Sequence, residues 1–263
     1  MTHKKYRRRN TGVWIRRLFA WLFLIGVLSG IIFYTIFISP VFQIKEMRVA
    51  GAEKLKEDEI IQLSALSYGD QFFGARLSDA RNNIETHPYI REASVKRKGV
   101  STINIVVSER QEYAIIPYMG SYIYLDQEQY VLDVTEGILS SNICLITGID
   151  FIGFNIGQKV QPSHANHLED AYQILAAAIE ADILDILSEI NVDESGQIRI
   201  MTFNGIEALM GHVDRPAYSV LALKEALITL HTRNLSDVII DMRYEGHITV
   251  QDRARQEVED DKP

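Results

Sequence analysis

The residues best suited to chemistry in this chain are two histidines and a few carboxylates. His164 and His167 stand three apart and are followed by Glu169 and Asp170. On a helix that spacing brings both imidazoles to one face, where they could share a metal ion. A metal centre needs further ligands and partners that orient them, and the same stretch reads more simply as a polar, solvated helix start. Asp126, Asp133, Glu109 and Glu112 could pair as acid and base for hydrolysis, although acids in turns are mostly turn formers. Cys144 is the single cysteine and sits in the apolar run Ile143–Ile146. It excludes an intrachain disulfide and reads as a small core residue. The sequence has no G-x-S-x-G, no cysteine pair, no H-E-x-x-H and no P-loop. No cofactor or metal is implied, and the composition fits a binding module better than an enzyme.

The elements that would position any such site begin with a membrane span. Residues 1–17 hold seven basic residues (Lys4, Lys5, Arg7, Arg8, Arg9, Arg16, Arg17) and no acid, and residues 18–40 hold no charge. The rest carries 20 basic and 35 acidic residues, a net charge of −15. Leu18–Ile38 is almost unbroken apolar sequence, and as a helix it is about 31 Å long, which matches the hydrocarbon core of a bilayer. It is longer than a signal-peptide core and lacks small residues at its end, so a retained anchor is expected. The positive-inside rule places Arg7, Arg8, Arg9, Arg16 and Arg17 in the cytoplasm and everything after about residue 40 outside. Beside such a span the arginine run is topogenic rather than a nucleic-acid patch.

Residues 42–110 predict a strand at 42–49, helices at about 55–66 and 75–86, and strands at 89–98 and 102–109. Pro88 ends the second helix. Ile103, Ile105 and Val107 alternate onto one face. Residues 111–250 are richer in strands. A meander is expected over 113–118, 122–125 and 130–134, then a strand at 143–147. A helix at about 164–181 places Leu168, Ala171, Tyr172, Leu175 and Ile179 on one face. Strands at 186–193, 197–203 and 206–212 are separated by Ser195-Gly196 and Asn204-Gly205, the latter a strong hairpin signal. A helix starts near Pro216, and strands at 237–243 and 247–250 end the fold. Residues 251–263 are charged and aperiodic and read as a disordered tail. The fold class is α+β: a single transmembrane helix, a β-α-α-β-β unit and a strand-rich α+β domain.

This order resembles the bacterial division proteins of the DivIB/FtsQ family, and the 42–110 unit resembles a POTRA domain. The matching residues are Ile44–Gly51 (IKEMRVAG), His87-Pro88-Tyr89-Ile90 with Ala93, Val95 and Arg97, and Thr102–Arg110 (TINIVVSER). Further on are Tyr124-Leu125-Asp126, Leu145-Ile146-Thr147-Gly148 and Asp241-Met242-Arg243-Tyr244. The likeness runs from residue 1 to 250. It departs at loops, where Val100 and the Gln111–Tyr113 stretch replace prolines and Gln127-Glu128 replaces an Asp-Gly turn.

The resemblance implies a non-catalytic part of the division machinery at the septum of the cytoplasmic membrane. It implies binding to the single-pass partners FtsL and DivIC (FtsB in other bacteria) and a role in septal peptidoglycan synthesis. A terminal strand offers an edge to which a partner can add its own strand. His247–Val250, after the turn Glu245-Gly246, is the expected edge, with Arg243, Tyr244, Gly246, Ile248 and Val250 as partner-binding residues. The competing hypothesis is a membrane-anchored cell-wall hydrolase working through paired carboxylates.

Overall fold

The computed structural model describes residues 11–37, 40–138, 143–233, 235–244 and 246–253. Lys4, Lys5, Arg7, Arg8, Arg9, Ile38, Glu245 and the tail beyond Arg253 lie outside them. The first element, α1 (Thr11–Phe37), begins earlier than the apolar run and takes in Arg16 and Arg17. Its stretch Trp14–Thr35 is long and apolar enough to cross a membrane, and none of it is buried against protein. A helix that is apolar all round and, among the described residues, is covered by no other part of the chain suits a lipid surrounding.

The chain divides by its contacts into two units, Met1–Glu109 and Arg110–Pro263. In the first, a 3₁₀ turn at Pro40–Phe42 follows the helix. The strand expected from Phe42 therefore starts only at β1 (Glu46–Ala50). The reason is that Ile44 is already engaged elsewhere: its N–H donates to the Asp70 carbonyl and its carbonyl accepts from Gly69. Next come α2 (Glu57–Leu63), whose first turn carries Glu57, Asp58 and Glu59 at the positive helix end, and α3 (Leu77–Glu85). β2 (Ile90–Lys98) and β3 (Thr102–Glu109) complete a sheet of order β1-β3-β2. β1 runs parallel to β3, with Glu46 opposite Thr102, and β2 runs antiparallel to it. Ile103, Ile105 and Val107 point into a core with Ile44, Ile60, Phe72 and Ile84, as the alternation predicts.

The second unit contains β4 (Ala114–Tyr118), β5 (Ser121–Leu125), β6 (Val131–Thr135) and β7 (Cys144–Thr147). A short pair follows, β8 (Phe151–Gly153) with β9 (Gln161–Pro162), then α4 (Ala165–Glu180). β10 (Leu187–Val192), β11 (Ile198–Thr202) and β12 (Glu207–Gly211) form antiparallel hairpins. Gly196 and Gly205 supply the positive φ their turns need. α5 (Pro216–Thr232), β13 (Val238–Asp241) and β14 (Thr249–Asp252) end the fold.

Nine strands join one sheet in the order β14-β13-β12-β11-β10-β7-β4-β5-β6. α4 and α5 bury Leu168, Leu175, Leu223 and Leu227 in one core with the strands. Ile179, expected on the buried face of α4, is exposed; Ile174 and Ala178 are buried in that helix. The last strand is also displaced. It spans 249–252 rather than 247–250, so Gln251 and Asp252 belong to the sheet and not to a tail.

Candidate partner-binding edge

The last strand is held at both ends by side chains. β13 is buried at Val238, Ile239 and Ile240, which fixes its register against the core. Beyond it, the Met242 N–H donates to the Leu209 carbonyl at 2.9 Å. Arg243 folds back on Asp241 with Nη2 to Oδ2 at 2.6 Å and Nε to Oδ1 at 3.0 Å. The Arg243 backbone N–H adds a third bond to Oδ1 at 3.1 Å. These bonds hold the Asp241 carboxyl below the usual carboxylate range. Gly211 makes room for the arginine stem, because a Cβ there would stand 3.3 Å from Arg243 Cγ. After Gly246, with φ of +77°, β14 pairs antiparallel with β13, Ile240 opposite Val250 and Asp241 opposite Thr249. At its far end Arg253 reaches Asp237 at 3.3 Å, Glu207 at 3.2 Å and the Gly205 carbonyl at 3.2 Å.

Among the described residues β14 is the outermost strand, and every one of its residues is exposed. Its pairing also tells which main-chain groups face outward. The Arg253 N–H donates to the Asp237 carbonyl, so Asp237 and Arg253 form a bonded pair. Opposed residues alternate between bonded and non-bonded pairs in an antiparallel ladder. Val250 therefore falls in a non-bonded pair, and its N–H and C=O point away from β13.

The structure sorts the five expected binding residues into two places. Arg243, Tyr244, Gly246 and Ile248 line a cleft of about 290 Å³ between the start of α5 and the β13–β14 connection. Val250 lies outside it, on the strand. Ile248 precedes β14, so it contributes a side chain to the cleft and no ladder position. Tyr244 is 72% exposed, and Ile248 and Val250 are each 46% exposed; these apolar groups do not serve the core. Arg215 and Tyr218 complete the cleft, the guanidinium 5.3 Å from the ring centre. In the sequence their one signal is the position of Arg215 before Pro216, which marks a helix start and not a site.

The residues with catalytic potential are occupied elsewhere. The Glu109 carboxylate accepts the backbone N–H groups of Glu53 (3.1 Å), Lys54 (2.6 Å) and Leu55 (3.0 Å). Asp126, 4% exposed, pairs with Arg110 at 2.5 Å and accepts the N–H groups of Glu128 and Tyr130. Asp133 accepts the N–H of Val134. Glu109 and Asp126 sit in different units, each spending its lone pairs on its own fold. Cys144 is buried, and burial pushes its thiol up to about 12, which keeps it protonated and unreactive. His164 and His167 stack ring on ring at 4.8 Å. Among the described residues no group of three or more His, Cys, Asp or Glu could hold a metal ion. Arg16 and Arg17 are exposed on α1, while Arg7, Arg8 and Arg9 lie outside the described residues.

Comparison with known proteins bears on the same units. The family model described as "POTRA domain, FtsQ-type" matches residues 42–110. The chain is 31% identical over 147 residues to "Cell division protein DivIB" of Clostridium acetobutylicum. That match covers 56% of this chain and 59% of the relative, so it spans less than two thirds of that protein. A second DivIB, from Clostridium tetani, is 24% identical over 231 residues, 85% of this chain and 84% of that one. Among solved structures, the major extracytoplasmic domain of the trans isomer of DivIB from Geobacillus stearothermophilus is 16% identical. It covers 49% of this chain and 99% of that one at a TM-score of 0.31, too low for a fold to be inferred from it.

Proposed function

Because the chain belongs to the DivIB/FtsQ family of bacterial cell division proteins, we propose that it is a non-catalytic divisome scaffold. On this proposal it binds FtsL- and DivIC/FtsB-type membrane proteins outside the cytoplasmic membrane and supports septal cell-wall synthesis. Residues 1–17 form the cytoplasmic basic tail and 18–38 the transmembrane segment. Residues 42–110 are the POTRA-like domain, 111–250 the partner-binding domain and 251–263 a tail whose first residues extend the sheet. The seven cations before the span support this orientation. A chain so oriented presents both folded units to the outer surface, where other single-span proteins extend their segments.

The observation that carries the reading is the outward-facing main chain of Val250 on an exposed edge strand. An incoming strand would pair there and set side chains against Arg243, Tyr244 and Ile248 in the adjoining cleft. Backbone bonds supply affinity and the cleft supplies selectivity. The competing hydrolase has little support, since Glu109 and Asp126 are saturated by hydrogen bonds within separate units.

The test is a proline at Val250 in the full chain held in lipid nanodiscs. Proline there removes one outward N–H and no bond to β13, so the sheet survives. Binding of purified FtsL- and DivIC-type extracytoplasmic segments should weaken about tenfold or more, the loss of a hydrogen bond together with its register. Thermal unfolding should stay unchanged. Gln251→Pro, which removes a bond to β13, should lower both. Undiminished binding by Val250→Pro sinks the edge proposal. A fluorescent fusion of the chain should form midcell rings in dividing cells, and uniform membrane signal would count against the division role itself.

A further inference from the structure

One end of the first unit gathers exposed apolar and basic residues that its core does not use. Parallel pairing puts Glu46 of β1 opposite Thr102 of β3. The β2–β3 turn at Gly99-Val100 therefore lies at the end of the sheet where the chain arrives from α1. The α2–α3 loop is tied to the same end. Ile44 exchanges backbone bonds with Asp70 and Gly69, and the Phe72 N–H donates to the Phe42 carbonyl. Arg97 turns inward and donates to the carbonyls of Phe72 (2.9 Å), Phe73 (3.3 Å) and Ala75 (2.7 Å). Phe73 in turn packs on Phe42, ring centres 5.4 Å apart.

Four large apolar side chains on this rim face water: Val41, Tyr68, Phe73 and Val100, from 41% to 61% exposed. Lys45 and Lys98 stand among them and are exposed. The acids at this end are engaged, Asp70 with the Ser67 N–H at 2.8 Å and Glu46 with Arg48 at 2.7 Å. Apolar groups beside lysines form the pattern of a bilayer interface, where aromatic and apolar tips enter the headgroup layer and cations meet phosphates.

Chain length says what covers the rim. Val41 is four residues beyond the last residue of α1, and β1 begins at Glu46. Even fully extended, four residues reach only about 14 Å, and the polar layer on each side of the hydrocarbon core is itself about 5–8 Å thick. A unit stitched to residues 42–44 by backbone hydrogen bonds cannot move far from the surface in which α1 is anchored.

We propose that this rim rests in the headgroup layer of the membrane α1 crosses, with Val41, Tyr68, Phe73 and Val100 entering it and Lys45 and Lys98 engaging anionic phospholipid headgroups. The inference depends on α1 spanning the bilayer. The POTRA-like unit is then docked on lipid at one end, which fixes how it presents its helices and sheet edges.

The full chain, reconstituted in vesicles containing anionic phospholipid, tests this with an environment-sensitive fluorophore at single introduced cysteines. Cys144 is buried, and the labelled unsubstituted chain serves as blank. A label at Val100→Cys or Phe73→Cys should be quenched about twofold or more by headgroup-level spin-labelled lipid, as expected for a group in the polar layer. A label at Lys56→Cys, beyond the opposite end of β1, should not be. Lys45→Glu with Lys98→Glu, or zwitterionic vesicles, should reduce the quenching at Val100. A label at Leu28→Cys reports the span through deep-placed quencher. If Leu28 is shielded from deep quencher, the span itself is wrong. If Leu28 is quenched while Val100 and Phe73 behave like Lys56, the docked rim is overturned alone. Quenching at Val100 that ignores both charge reversal and lipid charge overturns the recognition of anionic headgroups.

Discussion

Gly148→Ala is expected to cost the second unit about 2–5 kcal/mol, a large part of the 5–15 kcal/mol that typically holds a domain together. Gly148 follows β7 with φ of +78°, and a Cβ there would stand 1.8 Å from the Val192 carbonyl oxygen and 2.9 Å from its carbon. The left-handed conformation alone costs an alanine about 1–2 kcal/mol. The overlap adds more, because the obstacle is backbone. Val192 ends β10, which runs parallel to β7 in the middle of the nine-stranded sheet. Ile146, Ile190 and Val192 are all buried, so neither strand can give way without opening the core, at about 1–3 kcal/mol for such overpacking. Gly205 is the control. It too has positive φ, +80°, but nothing lies within 4 Å of its would-be Cβ. Urea denaturation of the purified chain should show Gly148→Ala losing at least about twice what Gly205→Ala loses. Equal losses would mean that the carbonyl approach carries no cost of its own.

The first unit repeats the device. Gly51 follows β1 with φ of +84°, and its Cβ would stand 2.1 Å from the Val107 carbonyl oxygen of the parallel strand β3. The glycines that close IKEMRVAG and LITG thus mark places where a chain leaves a parallel pair and a neighbouring carbonyl crosses close behind it. The sequence shows each glycine as a strand stop. It does not show the crossing carbonyl, because Gly51 and Val107 belong to strands far apart in the chain and no local period records their pairing.

The same distinction separates what was legible from what was not. Ile103, Ile105 and Val107 alternate because one face is buried, and Asn204-Gly205 and Pro216 declare a turn and a helix start by their own backbone preferences. The join of the β4–β6 meander to β7, and of β7 to β10, depends on parallel pairs of distant segments. Burial fixes register, and where it is missing the expectation slips: all four residues of β14 are exposed, and the strand lies two residues later than its sequence suggests. The candidate site suffers for the same reason. Arg243 and Tyr244 were marked by a family-like motif and Gly246 by a turn before the expected edge, whereas Arg215 and Tyr218 join them only through the packing of α5 beside the β13–β14 connection. Glu109 and Arg110 were visible as a motif pair. Their partners, the amides of residues 53–55 and the carboxylate of Asp126, are not implied by any spacing.

That last pair sets the second large effect: Asp126→Ala should destabilise the second unit by about 3–5 kcal/mol, because it removes the buried partner of Arg110 together with the acceptor of two backbone N–H groups. The side chains of Arg110 and Asp126 are 11% and 6% exposed. Burial works against the Arg110 charge, but the hydrogen bonds it donates to Asp126 and Glu128 outweigh it and hold the guanidinium above its ordinary pKa. The guanidinium also lies 3.9 Å from the Tyr130 ring centre, which shields one of its faces from water. Alanine further deletes the oxygen that accepts the Glu128 and Tyr130 N–H groups at 2.9 and 2.7 Å, and with it the turn that leads into β6. Glu128, 2.9 Å from Arg110, balances part of the charge in either variant, but Asp126→Asn also keeps that acceptor, so its loss should be nearer 1–2 kcal/mol, roughly that of a charge-assisted hydrogen bond. Adding Arg110→Met to Asp126→Asn should recover part of even that loss, since removing both buried charges together is often neutral. Urea denaturation of the three variants decides the matter. If alanine and asparagine cost the same small amount, Arg110 is solvated in the variants and the buried pair is not what secures this end of the sheet.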